Sequence, residues 1–205
     1  MIALIDYDAG NTKSVEKALS FLGETSILTR DRRALLEADK VILPGVGNFG
    51  EAMENLEKTG LIPVIHEIVE KKTPFLGICL GLQLLFEESE EAPGVRGLGL
   101  LKGKILKIPA GEERKIPHMG WNSLKLQNQG RLFRGIPEEA YVYFVHSYYL
   151  RAEEREIVKA SAFYGTEIDA SVEKENVFAC QFHPEKSSGV GLSILKNFVD
   201  LGKGE

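Results

Sequence analysis

The residues from Phe75 to Gly81 constrain this chain more than any others. Phe75-Leu76-Gly77-Ile78 is a short apolar run, the pattern of a strand buried on both faces. It runs straight into Cys79 and then into a helical pattern from Leu80 to Glu88. Glycines stand on either side of the cysteine, giving Gly77-x-Cys79-x-Gly81. A strand that turns sharply into a helix needs small neighbours, and the residue at the turn is left standing where the helix begins. Peptide dipoles at that end favour an anion. The pattern predicts a thiol nucleophile at the carboxyl end of a strand. It is equally compatible with a buried cysteine, a common fate of that residue type.

The segments around this stretch give it a setting. Ile2 to Asp6 reads as a strand. Asn11 is placed to cap a helix whose apolar face is Val15, Ala18, Leu19 and Leu22, and Gly23 ends it. Ser26 to Leu28 reads as a second strand, with a short helical piece at Leu35 and Leu36, and Lys40 to Leu43 as a third, stopped by Pro44-Gly45. Helices are predicted at about 51–58 and 61–71. Strands alternating with helices of this length predict an α/β fold, a doubly wound and mostly parallel sheet with helices on both faces.

The second half changes character. Short β-like pieces occur near 103–107, 141–145, 157–162 and 177–182, separated by glycine and proline. They predict extra, more antiparallel strands added to the same core. A last helix at about 190–201 carries Leu192, Leu195, Phe198 and Val199 on one face. With no repeat and no long linker, the expectation is a single domain over residues 1–205.

Composition excludes whole classes of function. The net charge is −5 and there is no basic run, which argues against nucleic-acid binding. No stretch reaches the ~18 apolar residues of a membrane span. The N-terminus lacks the basic start of a signal peptide. Two cysteines in 205 residues are no disulfide framework. A reduced, cytoplasmic protein is the expectation.

Parallel sheets place ligand sites at the carboxyl ends of their strands, and two further segments stand there. Pro44-Gly45-Val46-Gly47-Asn48-Phe49-Gly50 holds three glycines in seven residues, which frees backbone N–H groups to turn toward a ligand. With Cys79 beside it, this loop is a candidate oxyanion hole, using the Val46 or Gly47 amide and the Leu80 amide. Taken alone it also reads as a plain flexible loop.

The other segment is His183-Pro184-Glu185. Proline biases the residue before it toward an extended backbone, and residues two apart on an extended chain point the same way. Glu185 can then hold one ring nitrogen of His183 while the other faces a thiol, which supplies nucleophile, base and orienter. The alternative is an exposed turn. His66 reads as solvated, and His118 and His146 are compatible with structural roles. Cys180 alternates with Phe178 and Phe182 and is expected in the core. Gln83, one helical turn beyond Cys79, lies on the same helix face, either lining a pocket or lying on the surface.

Gly77-Ile78-Cys79-Leu80-Gly81-Leu82-Gln83, the Pro44-Gly45 loop and His183-Pro184-Glu185 together resemble the triad-type glutamine amidotransferases, in that family's order and over nearly the whole chain. Four longer stretches narrow the likeness: residues 44–50, Pro117 to Asn122, Tyr143 to Tyr148 and Gln181 to Ser187. They resemble the branch that serves as glutaminase subunit of imidazole glycerol phosphate synthases in histidine biosynthesis.

The resemblance implies a doubly wound fold and glutamine as substrate. It implies catalytic Cys79, His183 and Glu185, and oxyanion donors at Val46, Gly47 and Leu80. Gln83, His146, Ser147 and Tyr148 would hold the glutamine. The implied partner is a (β/α)8-barrel cyclase subunit that uses the released ammonia, met through Asn48, Trp121, Asn122, Tyr143 and Lys186. Trp121 and Lys186 are also compatible with a core and a solvated position. Neither the residues nor the resemblance requires a cofactor or a metal. Three rivals stand beside this reading: a free-standing cysteine hydrolase or peptidase on the same fold, a non-catalytic subunit with a relic site, and a glutaminase of another amidotransferase pathway.

Overall fold

The computed structural model describes residues 1–8, 10–111 and 115–202. The strand–helix alternation of the first half is present. Strand β1 (Ile2–Ile5) leads into helix α1 (Thr12–Phe21), β2 (Ser26–Thr29) into α2 (Arg32–Glu37), and β3 (Lys40–Leu43) into α3 (Phe49–Lys58) and α4 (Leu61–Glu70). Then β4 (Phe75–Ile78) carries the chain through Cys79 into α5 (Leu80–Leu84). Strands dominate the second half: β5 (Glu88–Ser89), β6 (Gly103–Lys107), β7 (His118–Ser123), β8 (Lys125–Leu126), β9 (Tyr141–His146), β10 (Tyr148–Ala152), β11 (Val158–Phe163), β12 (Glu167–Lys174) and β13 (Val177–Cys180). Helix α6 (Ser188–Val199) follows.

Eight strands form the central sheet in the order β2-β1-β3-β4-β13-β12-β11-β8. The run from β2 to β13 is parallel; β12, β11 and β8 extend it antiparallel. Period-two alternation sorts each inner strand between two apolar layers. Ala3, Ile5, Val41, Leu43 and Phe75 face the layer closed by α2, α3 and α4 through Leu35, Phe49, Leu56, Ile65 and Ile68. Ile2, Leu4, Ile42, Leu76 and Ile78 face the layer closed by α1 and α6 through Val15, Leu19, Ile194, Leu195 and Phe198. Each fully buried Leu, Ile or Phe contributes about 1.5–3 kcal/mol, so these two layers fix the sheet. Two smaller sheets, β10-β6-β5 and β7-β9, flank it.

Several boundaries differ from expectation, for physical reasons. Helix α5 ends at Leu84 rather than Glu88, because the chain folds back on it. The Leu98 amide donates to the Leu84 carbonyl at 2.8 Å and the Leu100 amide to the Leu85 carbonyl at 2.9 Å. Helix α3 begins at Phe49, before the expected 51, because the Asn48 side chain accepts from the Gly50 and Glu51 amides. Strand β12 alternates Ile168, Ala170 and Val172 with polar residues, but its polar face is not wet throughout: Asp169 is buried, held by Arg155 and by the Ala152 amide. Asn11 begins α1 but makes no capping bond; its backbone is left-handed, with φ 69°, and its side chain is used elsewhere.

Candidate active site

The sheet order sets the carboxyl ends of β3, β4 and β13 side by side, and the three sequence segments singled out above leave from those ends. Cys79 is the bend itself, at φ 56° and ψ −109°. A non-glycine residue held there stores about 1–3 kcal/mol of strain. Its amide donates to the Cys180 carbonyl at 2.7 Å, tying β4 to β13. Both flanking glycines are required: a Cβ on Gly77 would lie 2.6 Å from the Gly81 carbonyl oxygen, and one on Gly81 would lie 2.0 Å from that of Leu43.

His183 follows β13 with an extended backbone, at φ −97° and ψ 97°, as a residue before proline should. Pro184–Lys186 then forms a 3-10 turn rather than the extended continuation expected. The turn still brings Glu185 round: His183 Nδ1 donates to Glu185 Oε1 at 2.7 Å, with the two side chains 1% and 0% exposed. Asn11 Nδ2 donates to the same oxygen at 2.9 Å. The backbone of His183 is braced as well. Its amide donates to the Tyr143 carbonyl at 2.9 Å, and the Ser187 hydroxyl donates to its carbonyl at 2.6 Å. Burial alone would push the His183 pKa down, but Cys79 and Glu185 outweigh it and hold the ring above its ordinary value. Nε2 is buried and has no hydrogen-bond partner among the described residues.

Cys79 and His183 line one cavity of about 300 Å³. Val46, Gly47 and Leu80 form part of its wall, as do Gln83, His146, Ser147 and Tyr148. The loop after β3 is anchored from below: the buried Tyr7 hydroxyl donates to the Pro44 carbonyl at 2.7 Å, and a Cβ on Gly45 would sit 2.6 Å from that hydroxyl. Gly47, at φ +106°, adopts a conformation that only glycine takes easily.

Gln83 lies inside rather than on the helix surface, 4% exposed. Its Nε2 donates to the Tyr148 carbonyl and to Gln181 Oε1, both at 3.0 Å. Both ring nitrogens of His146 are occupied, Nδ1 by the Tyr148 carbonyl at 2.8 Å and Nε2 by His118 at 2.9 Å. What His146 presents to the cavity is therefore ring surface, not a free donor. Cys180 is fully buried between the apolar layers, and burial pushes its thiol up to about 12.

Sequence reasoning missed three residues here. Gln181 Nε2 lies 3.8 Å from Cys79 Sγ; its place one residue past β13 and two before His183 was the available signal. Glu91 lines the cavity and accepts from the Phe49 amide at 2.8 Å, but its position depends on the fold-back after α5. Asn11 reaches Glu185 across most of the chain's length, which no local pattern shows.

The residues assigned to a partner face are scattered in role. Trp121 is half-exposed and meets Tyr143 edge-on across β7 and β9, ring centroids 6.0 Å apart. Lys186 and Asn48 are exposed, Asn48 also capping α3. Asn122 is partly buried, donating to the Phe163 carbonyl at 3.0 Å. Exposed Met119, Tyr141 and Phe163 add to the apolar surface of these strands.

Known proteins are similar to this chain in sequence, and others in architecture. The family model described as glutamine amidotransferase class-I matches residues 3–201. A Methanocaldococcus jannaschii protein named imidazole glycerol phosphate synthase subunit HisH is 52% identical over 201 residues, covering 98% of this chain and 100% of that one. A Geobacillus kaustophilus protein of the same name is 50% identical over 208 residues, covering 100% and 98%. Among solved structures, one described as a glutamine amidotransferase superposes with a TM-score of 0.76 at 19% identity, covering 98% of both chains. PurLQS from Thermotoga maritima gives 0.73 at 19%, covering 98% of this chain and 97% of that one.

Proposed function

The chain belongs to the class-I glutamine amidotransferases, and from that premise we propose that it is the glutaminase subunit of an imidazole glycerol phosphate synthase. It hydrolyses glutamine to glutamate and hands the ammonia to a cyclase subunit, which makes imidazole glycerol phosphate and aminoimidazole carboxamide ribotide. One observation carries the chemistry. A buried histidine, oriented through Nδ1 by a buried carboxylate, has its other nitrogen unpartnered among the described residues and shares a cavity with a cysteine on a strained elbow.

In this reading the Cys79 thiolate attacks the side-chain carbonyl of glutamine. The oxyanion forms against backbone amides of the Val46–Gly47 loop and Leu80; losing one such donor typically costs about 3 kcal/mol of transition-state stabilisation. His183, oriented by Glu185, delivers its proton to the departing ammonia. It then takes one from the water that hydrolyses the thioester. Gln83, Ser147 and Tyr148 border the glutamine, and the Glu91 carboxylate offers its ammonium group a counter-charge. His146 contributes ring surface.

The ammonia is used by the partner, a (β/α)8-barrel. Exposed Trp121, Met119 and Tyr141 are the apolar part of its docking face, with Asn48, Asn122, Tyr143 and Lys186 around them. A glutaminase that ran unchecked would waste glutamine, so turnover depends on that partner. A peptide flip between Val46 and Gly47, tolerated at Gly47, makes or breaks an oxyanion donor. The test is glutamate release by the purified chain, alone and with a cyclase subunit and its nucleotide ligand. Low activity alone, strong stimulation in the complex, and loss of both in Cys79→Ala are expected. Equal turnover with and without the partner overturns the gating, and an active Cys79→Ala overturns the chemistry.

A further inference from the structure

His118 and His146 sit one behind the other in the β7–β9 pair, where they face each other in register. His118 is 3% exposed and lies between the rings of Phe144 and Tyr164, with centroids 4.7 and 4.0 Å away. The direction of every hydrogen bond through them is dictated by backbone groups. The Tyr148 carbonyl accepts only, so His146 Nδ1 carries the proton. In a neutral ring Nε2 is then an acceptor, and His118 Nδ1 donates to it. His118 Nε2 is in turn an acceptor, faced at 3.4 Å by Asn122 Nδ2. The Asn122 amide is itself fixed, since Nδ2 donates to the Phe163 carbonyl and Oδ1 accepts from the Ser123 amide. Burial, with no carboxylate beside them among the described residues, holds both rings neutral, pushing His118 down to about 4 and His146 to about 3.

The chain of bonds continues inward. The Tyr148 carbonyl has two lone pairs, one taken by His146 and the other by Gln83 Nε2. The second Nε2 proton of Gln83 goes to Gln181 Oε1. Gln181 therefore has its oxygen turned toward Gln83 and its Nε2 toward Cys79 Sγ, 3.8 Å away. With its amide flipped, Gln181 would set an oxygen against the sulfur.

We propose that His118 and His146 are positioning residues for the glutaminase: a one-directional hydrogen-bond relay from Asn122 to the Tyr148 carbonyl that, through Gln83 and Gln181, presents an N–H to the Cys79 sulfur. His118 has a definite task in it. Its donated bond reinforces the Nδ1–H form of His146 that the Tyr148 carbonyl selects; without it, Nε2 loses its donor and the Nε2–H form, which sets a lone pair against the Tyr148 oxygen, is disfavoured less. Neither ring exchanges a proton with substrate.

This inference deepens the glutaminase reading and rests on it, so its first test does not involve turnover. Long-range 15N–1H correlation at pH 7 on the full chain is expected to show His118 and His146 both as Nδ1–H tautomers; Nε2–H on either ring overturns the relay. The second test uses His118→Phe, which keeps an aromatic ring between Phe144 and Tyr164 but removes the donor. In the complex with the cyclase subunit, kcat for glutamine is expected to fall about tenfold with KM within twofold. Iodoacetamide alkylation of Cys79 should slow several-fold, and His118→Asn, whose amide N–H stands near the Nδ1 position, should recover part of both. Unchanged kcat and alkylation in His118→Phe sink the proposal. If that variant does not fold, the tautomers of the native chain decide alone. Correct tautomers in a chain without glutaminase activity would sink the functional reading and leave the hydrogen-bond order standing.

Discussion

Two regions of this molecule bury histidine, and they treat it in opposite ways. At the end of β13, His183 has a carboxylate on Nδ1 and a cysteine sharing its cavity, and its pKa is held above the ordinary value against the effect of burial. In the β7–β9 pair, His118 and His146 are buried among aromatic rings and hydrogen-bond, among the described residues, to each other, an amide and a carbonyl, and are pushed down to about 4 and 3. Burial disfavours the charged ring in both places. The anionic partner decides the outcome, so the same residue type becomes a proton carrier in one region and a fixed dipole in the other.

The contrast breaks most sharply at Glu185. Glu185→Gln makes His183 resemble the other two. Its kcat for glutamine should fall about 10²–10⁴-fold, as expected when the orienting carboxylate of a triad is lost, and the His183 titration followed by NMR should drop. A His183 that titrates as before would show that Glu185 is not what holds the proton there.

The reverse change is Asn122→Asp, which places a carboxylate against His118. The His118 titration should rise by about 1–3 units, the range an adjacent opposite charge produces. If it does not move, burial rather than the missing anion keeps that ring neutral.

A smaller effect is expected at Asn11. Asn11→Ala removes one of the two donors to Glu185 Oε1. A hydrogen bond to a charged group is worth about 1.5–3 kcal/mol, of which only part bears on the transition state, so about a tenfold loss in kcat with KM little changed is expected. Loss of thermal stability without loss of kcat would make Asn11 merely a fold contact.

The smallest effect is the pH dependence of stability. Between about 4 and 6.5, the unfolded chain takes up a proton at His118 that the folded chain refuses. Stability therefore falls as pH is lowered through that window, and His146 adds to the slope in the same direction. His183 has the opposite sign: its stabilisation is complete below 6.5 and is lost as pH rises through its raised value. Urea midpoints measured from pH 4 to 6.5 should show a shallower slope in His118→Phe than in the native chain; equal slopes would mean that His118 takes up its proton in the folded state.

Much of the architecture is legible without coordinates, and the exceptions are physically consistent. The strands β1, β3 and β4 are uninterrupted apolar runs because helices cover both their faces, so no tertiary information is needed to read them. The alternation of β12 reads as a strand with one wet face, yet Asp169 and Ser171 on that face lie buried; their burial is tolerated only through partners distant in sequence, Arg155 and the Ala152 amide for one and the Ala179 carbonyl for the other. Asn11 shows the same limit. Its type and place suggest a helix cap, and the bond it makes instead runs to a residue that only the fold brings near.

By itself the sequence determined the elbow at Cys79 and the parallel core, because each follows from steric or periodic constraints acting over a few residues; it suggested the pairing of His183 with Glu185 through an extended chain, and a 3-10 turn makes that pairing instead. Only the tertiary structure decided that β3, β4 and β13 are neighbours and that Gln181 faces the thiol. It alone decided that two of the buried histidines are left neutral. Those outcomes depend on which polar groups meet across long sequence separations, where burial makes each pairing energetically decisive and local spacing carries no trace of it.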